Sequence, residues 1–148
     1  MGIPLTYDLI RYRRVPAWKY VLHRDYTLQT TITPFVDVNT KYIRLTKDGM
    51  LTVKAGYAWD GCSGPTHDDY TNQRAGLVHD ALYQLMREGW LNRDKWRQPA
   101  DRLLYDLCRE DGMAWLRARA YYRGVRLGGE QFTHPESALD LEKIYSAP

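Results

Sequence analysis

Three polar residues that could perform acid–base chemistry lie close together in the sequence: His79, Asp80 and Tyr83. They follow a loop of small residues, 60–65, which reads Asp-Gly-Cys-Ser-Gly-Pro. A carboxylate bonded to one ring nitrogen of a histidine fixes its tautomer and stabilises its protonated form, so the other nitrogen can take a proton from water or a hydroxyl. Asp101 is the candidate for that carboxylate. We therefore predict His79 as general base, Asp101 as its orienting partner and Tyr83 as a support.

The same stretch offers oxygen ligands for a divalent cation. Asp80 adjoins His79, and Asp60 opens the loop, whose backbone carbonyls add further oxygens. Calcium favours such oxygen ligands, and a bound cation would polarise a carbonyl or phosphoryl oxygen. A zinc site made of His67, His79 and Asp80 is less favoured, because its spacing matches no common zinc pattern. Three loop residues are predicted to contact the substrate: Gly61, Ser63 and Gly64.

Helices at suitable spacing would bring the histidine and the distant carboxylate together. Apolar residues at helical intervals predict a helix over about 72–88, a second that covers 100–108 and ends near 112, and a third over about 113–127. If the first two form a hairpin that turns near Trp90, His79 lies eleven residues before the turn and Asp101 eleven after it. Pro99 makes this match uncertain, since a proline inside a helix causes a kink and a helix that starts there would lengthen the loop.

The chain before residue 60 has the pattern of a β-sheet. Alternating residues over 26–33, 41–46 and 50–55 predict strands, and Asp48-Gly49 between the last two indicates a hairpin. Strands followed by helices are typical of the α+β class. We expect one domain, 1–148, with a β-rich part over 1–60, a loop and helical part over 61–128 that carries the site, and a tail over 129–148.

Composition narrows the function classes. The 148 residues include 44% hydrophobic and 26% charged residues, which is typical of a globular protein, and the net charge of +3 is too small to indicate a nucleic-acid binder. The two cysteines, Cys62 and Cys108, form no disulfide framework. Because no apolar run approaches 18 residues and the first residues lack the apolar core of a signal peptide, we expect neither a transmembrane segment nor secretion by a signal.

Two further groups of charged residues have structural interpretations that we favour. Arg119, Arg123 and Arg126 form a stripe that could contact phosphates of lipid or nucleic acid, but a solvated face or pairing with acids elsewhere is favoured. Asp68 or Asp69 is interpreted as the N-terminal cap of the first helix rather than as a metal ligand.

Three sequence blocks resemble a family of uncharacterised phage and prophage proteins. The blocks are W/T-D-x-x-S-x-P over 59–65, H-D-x-L-Y over 79–83 and A-D over 100–101, and the resemblance covers about 41–128. This chain differs over 92–98, which is longer than usual. The resemblance implies a phage or prophage gene, with the host cytoplasm or the virion as location and other virion proteins as partners.

A more distant local similarity joins the sequence to secretory calcium-dependent phospholipases. Those enzymes carry a glycine-rich calcium loop, then H-D-x-x-Y on a helix, then an aspartate on an antiparallel helix. The similarity implies His79 as base, Asp80 as cation ligand and Asp101 as the partner of the histidine. This chain departs from the family in having two cysteines and fewer loop glycines.

Two hypotheses result from these patterns. The first is a phage-encoded, metal-assisted hydrolase of ester or phosphoester bonds, with lipid among its candidate substrates. The second is a non-catalytic structural or accessory phage protein, associated with the tail, in which the histidine and aspartates form a buried polar network.

Overall fold

A computed structural model describes residues 12–13, 20–59 and 69–135 of the chain, with the backbone alone for 12–13. The chain divides into two compact units, residues 1–61 and 62–148. This division lies within one residue of the predicted junction between the β-rich and helical parts. The prediction of a single domain stays a prediction, and the two units are described separately below.

The described part of the first unit consists of short antiparallel strands in two sheets. One sheet has the order β1-β2-β7 and the other the order β3-β6-β5-β4. The strands are β1 Tyr12–Arg13, β2 Tyr20–Leu22, β3 Tyr26–Gln29, β4 Val38–Asn39, β5 Ile43–Leu45, β6 Met50–Val53 and β7 Ala58–Trp59.

The predicted hairpin at Asp48-Gly49 is confirmed. β5 and β6 pair antiparallel, with Leu45 opposite Leu51. Gly49 has a φ of +87°, and a Cβ there would lie 2.2 Å from the carbonyl oxygen of Thr30, so only glycine fits this turn. Ile43 and Leu45 are buried whereas Arg44 between them is exposed, which is the alternation expected of a sheet with one buried face.

The described part of the second unit is helical. α1 covers Gln73–Arg87, α2 covers Arg93–Glu110 and α3 covers Trp115–Gly128, followed by a short 3-10 helix over Glu130–Thr133. Strands followed by helices confirm the α+β class. No helix among the described residues is both long enough and apolar enough to span a bilayer.

α1 and α2 are joined by the short turn that the sequence predicts near Trp90. Gly89 ends α1 with a φ of +80°, and the backbone N–H of Trp90 donates to the Leu85 carbonyl at 2.9 Å. The Asn92 side chain then caps α2 by accepting from the Lys95 N–H at 3.0 Å. α2 thus begins six residues before Pro99, which lies inside the helix rather than at its start.

The buried face of α3 is narrower than predicted. Ala118 and Tyr121 are buried, whereas Tyr122 and Val125 are half-buried and Ala114 is exposed at the N-cap. Apolar spacing predicts that five residues of this helix face inward, namely Ala114, Ala118, Tyr121, Tyr122 and Val125, and this is wrong for Ala114. α3 contributes less to the core than α1, most of whose residues are buried.

Candidate active site

The histidine of α1 and the aspartate of α2 are in contact. His79 Nε2 lies 2.7 Å from Asp101 Oδ1, and the Asp101 side chain is fully buried. Counting residues on either side of the turn near Trp90 predicted this pairing, and the distance confirms it. The capped start of α2 at Asn92 keeps the connection short in spite of Pro99.

Tyr83 supports the same carboxylate oxygen. It lies one turn after His79 on α1, and its hydroxyl donates to Asp101 Oδ1 at 2.5 Å. The His79 and Tyr83 rings lie 4.0 Å apart, centroid to centroid. An ionised carboxylate has no proton to donate, so the Tyr83 hydroxyl must be the donor of this hydrogen bond. Asp101 Oδ1 therefore accepts hydrogen bonds from α1.

Arg126 is a partner of Asp101 that the sequence interpretation missed. Its Nη1 donates to Asp101 Oδ2 at 2.9 Å, so each carboxylate oxygen is engaged. The sequence interpretation favours a solvated face or pairing with acids elsewhere for Arg119, Arg123 and Arg126, and it does not name Asp101 as an acid that pairs with them. Arg119 and Arg123 are exposed as expected, but Arg126 is half-buried and ion-paired. Its position at the end of the stripe nearest the C-terminus of α3 was the available signal.

The hydrogen bonds keep Asp101 ionised despite its burial. Burial alone would raise its pKa, but the hydrogen bonds from His79 and Tyr83 outweigh burial and hold the pKa of Asp101 below its ordinary value of 3.8. Burial, reinforced by the nearby carboxylate, raises the pKa of Tyr83 well above its ordinary value of 10.0. The site therefore pairs an ionised carboxylate with a neutral phenol.

The second ring nitrogen of His79 has no hydrogen-bond partner among the described residues. Within the described residues the imidazole makes one hydrogen bond, from Nε2 to Asp101, and 9% of its side-chain surface is exposed. An Nε2–H group that donates to the carboxylate leaves Nδ1 unprotonated, with a free lone pair. The geometry is that of a histidine able to take one proton at Nδ1.

The predicted cation ligands are not assembled within the described part of the chain. Asp80 is half-buried on α1, and it interacts with other groups of the protein. No cluster of three or more histidine, cysteine, aspartate or glutamate side chains suited to a metal occurs among the described residues. Five predicted residues lie outside the described ranges: Asp60, Gly61, Ser63, Gly64 and His67.

A second buried ionic cluster joins the start of α1 to the end of α2. Arg74 is 4% exposed, and it donates to Asp111 Oδ2 through Nε at 3.0 Å and to Asp111 Oδ1 through Nη2 at 2.8 Å. The same Nη2 contacts Glu110 at 2.7 Å. Burial raises the pKa of Asp111 even against this arginine. The sequence interpretation did not identify this cluster.

Asp69 does not cap α1, so the capping prediction is wrong for this residue. The N-cap is Asn72, and its side chain makes no capping hydrogen bond. Asp69 instead accepts from the Thr71 N–H at 2.8 Å and from Arg117 of α3 at 2.7 Å. Asp69 therefore connects α3 to the segment before α1. Asp68 lies outside the described residues.

Comparison of the chain with family models, with curated proteins and with solved structures finds no match.

Proposed function

We propose that this protein is a hydrolase of ester or phosphoester bonds in which His79 is the general base. The observation that carries the proposal is the 2.7 Å contact between His79 Nε2 and the buried Asp101 carboxylate, while Nδ1 has no hydrogen-bond partner in the part of the chain that the structure describes. A histidine oriented in this way by an ionised carboxylate can activate water at neutral pH.

In the proposed reaction His79 transfers the proton, and the residues around it stabilise and position it. A water molecule at His79 Nδ1 gives up its proton as its oxygen attacks the carbonyl carbon or the phosphorus. Asp101 stabilises the resulting imidazolium, and Tyr83 and Arg126 hold the carboxylate in position. The proton at Nδ1 then passes to the leaving alcohol, which restores neutral His79.

We propose further that a divalent cation, with calcium preferred to zinc, assists the reaction next to Asp80. The described residues supply a single carboxylate for it, so no step is assigned to the cation. Asp60, the other predicted ligand, lies outside the described residues and stays a prediction. When bound, a cation would polarise the oxygen that becomes negative during attack.

Cation binding can be tested without turnover. Calcium that binds the folded chain alone raises the melting temperature, and the rise grows with concentration. We expect calcium to stabilise the wild type more than zinc does, EDTA to reverse the effect, and Asp80→Asn to abolish it. Asp94→Asn, which removes an exposed carboxylate from α2, is the matched control. A melting temperature that ignores calcium would remove the cation from the proposal.

The extent of burial favours a second candidate, a non-catalytic structural or accessory protein of a phage. Asp101 is 0% exposed, Tyr83 3% and His79 8%, so the cluster also suits a polar network that sets the register of α1 against α2. The three sequence blocks support the phage origin in either case. In this candidate the chain contacts other virion proteins, and its tail association stays part of the proposal.

Replacing the base separates the two candidates. Because general-base catalysis contributes about 10²–10⁴-fold, His79→Gln should lower hydrolysis by that factor while the circular dichroism spectrum is retained. Substrates to test are p-nitrophenyl butyrate, bis(p-nitrophenyl) phosphate and phosphatidylcholine vesicles. His23→Gln, an exposed histidine of the first unit, is the control.

Asp101→Asn provides a second variant if His79→Gln fails to fold. Loss of hydrolysis in both variants, with His23→Gln unaffected, supports the hydrolase. No hydrolysis by the wild type on any of the three substrates, together with a lower melting temperature in His79→Gln, favours the structural candidate.

A further inference from the structure

A polar cavity adjoins the candidate active site in the helical unit. Its volume is about 170 Å³, and it lies between the first turns of α2 and the end of α3. Arg93 and Arg97 of α2 and Arg126 of α3 contribute three guanidinium groups to its wall. The cavity has room for several water molecules, and therefore for a tetrahedral anion.

Among the described residues, most N–H donors of these three arginines have no protein acceptor. Arg93 forms no hydrogen bond or ion pair within the described residues. Arg97 donates through Nη2 to the carbonyls of Val125 and Arg126 at 3.0 and 2.7 Å, which are neutral acceptors. Its Nε is buried and makes no hydrogen bond.

Among the described residues, a carboxylate partner is found for Arg126 but not for Arg93 or Arg97. It makes one hydrogen bond within the described part of the chain, from Nη1 to Asp101, and its other donors stay available. Three guanidinium groups that converge on one space repel one another unless an anion lies between them.

Two acidic residues also line the cavity but do not neutralise it. Asp94 and Glu130 are exposed, and neither forms an ion pair with Arg93, Arg97 or Arg126 among the described residues. Three arginines and two carboxylates therefore leave the lining with a net charge of +1, before Asp101 is counted against Arg126. Because α2 begins at Arg93, the positive end of its helix dipole lies at the cavity and adds to that excess.

The cavity is connected to the candidate active site through Arg126. The same guanidinium that lines the cavity bonds Asp101 Oδ2, and Asp101 Oδ1 bonds His79. Arg97 also acts on Tyr83, since its positive charge opposes the rise in the pKa of that phenol. A ligand held by these arginines would therefore lie next to Arg126, whereas His79, Tyr83 and Asp101 do not line the cavity.

We propose that this cavity binds the phosphate group of a phosphoester. Guanidinium groups bind phosphate by paired hydrogen bonds, and three of them match the several oxygens of one phosphate better than a planar carboxylate. This inference goes beyond the proposed function, because His79 does not line the cavity and its Nε2, not Nδ1, faces Asp101 and Arg126. A soluble phosphate ester and a phospholipid headgroup present the same chemistry to the cavity.

Phosphate binding is measured by isothermal titration with inorganic phosphate at constant ionic strength. Arg93→Gln should weaken binding at least tenfold, and so should Arg126→Gln. Arg119→Gln is the matched control, since it removes the same charge from an exposed position on α3. Equal affinity in Arg93→Gln and Arg119→Gln, or no phosphate binding by the wild type, would overturn the proposal.

Two further ligands identify the source of the phosphate. Binding of glycerol 3-phosphate that depends on Arg93 supports a soluble ester, and Arg93-dependent binding of phosphatidic acid vesicles supports a headgroup. Because these measurements need no turnover, Arg93-dependent binding without hydrolysis rejects the proposed function and keeps the phosphate site. Hydrolysis without such binding rejects the phosphate site alone.

Discussion

The helical unit contains two buried clusters that link α1 to α2, and they differ in what they can do. One joins Arg74 to Asp111, and the other joins His79 to Asp101. In the first, the cation is a guanidinium, which stays protonated at all relevant pH values. In the second, the partner is an imidazole, which has one nitrogen that donates and one that can accept a proton. The first cluster can only hold the helices together, whereas the second can also transfer a proton.

The two carboxylates show the same contrast. Both are almost fully buried, yet burial raises the pKa of Asp111, whereas hydrogen bonds from His79 and Tyr83 hold the pKa of Asp101 below its ordinary value. Asp101 receives donors from three different side chains, and Asp111 receives both of its donors from one side chain. Two carboxylates of similar burial therefore have pKa values shifted in opposite directions, because the number and kind of their hydrogen-bond donors differ.

The largest effect on stability is expected at the Arg74 cluster. Arg74→Met leaves the buried Asp111 carboxylate without its partner, and breaking a buried pair in this way costs about 3–5 kcal/mol. Urea unfolding measures the change. The control is Arg102→Met, because Arg102 pairs with Asp106 at 3.3 Å on the surface and such pairs contribute about 0–1 kcal/mol. Similar costs in the two variants would contradict the assignment of a buried structural pair.

A smaller effect is expected at Tyr83. Tyr83→Phe removes a hydrogen bond to an ionised carboxylate, which is worth about 1.5–3 kcal/mol. Tyr122→Phe is the control: the Tyr122 hydroxyl accepts from Gln98 at 3.2 Å near the surface, and surface changes stay within about 0.5 kcal/mol.

The Tyr83 contribution should depend on pH in the alkaline range. Because the pKa of Tyr83 is raised in the folded protein, its contribution is fully present below the ordinary value of 10.0 and is lost as the pH rises above that value. The stability difference between the wild type and Tyr83→Phe should therefore shrink above pH 10.0. A difference that stays constant up to pH 11 would show that the phenol is not held neutral.

The smallest effect on stability is expected at acidic pH, where Asp101 and Asp111 should respond differently. Since the pKa of Asp101 is lowered, its contribution is present above its ordinary value of 3.8 and is lost as the pH falls through the folded pKa. The pKa of Asp111 is raised, so its contribution is lost as the pH rises through the folded pKa instead. The free energy of unfolding of Asp101→Asn and of Asp111→Asn can be compared with that of the wild type between pH 3 and 6. The two differences from the wild type should change with pH in opposite directions. Parallel slopes would remove the contrast.

Local patterns were enough to predict the fold class, the β-hairpin and the central contact of the site. The hairpin depends on one turn, at Gly49, and the contact of His79 with Asp101 depends on counting residues from a single short turn. In both, the partners are close in sequence and one connection fixes their register. The spacing of apolar residues also predicted the helices, because a helix that buries one face has apolar residues at regular intervals.

Contacts that depend on how helices pack could not be predicted in this way. Arg126 reaches Asp101 because α3 packs against α2. The spacing of residues within α3 does not indicate where it crosses α2. The true start of α2 was missed because residues 93–98 are mostly polar and show no apolar face. The Asn92 cap was the available signal.

Pro99 has a mechanical consequence for α2. Proline lacks an N–H, so the Lys95 carbonyl loses its usual helical donor at this point. The residues before Pro99 carry two of the cavity's arginines, and those after it carry Asp101. Because the backbone hydrogen bond to the Lys95 carbonyl is missing, α2 is least rigid at Pro99. Its first two turns can therefore tilt while the remainder stays packed against α1. Amide hydrogen exchange should therefore be faster over residues 96–98 than over 103–108.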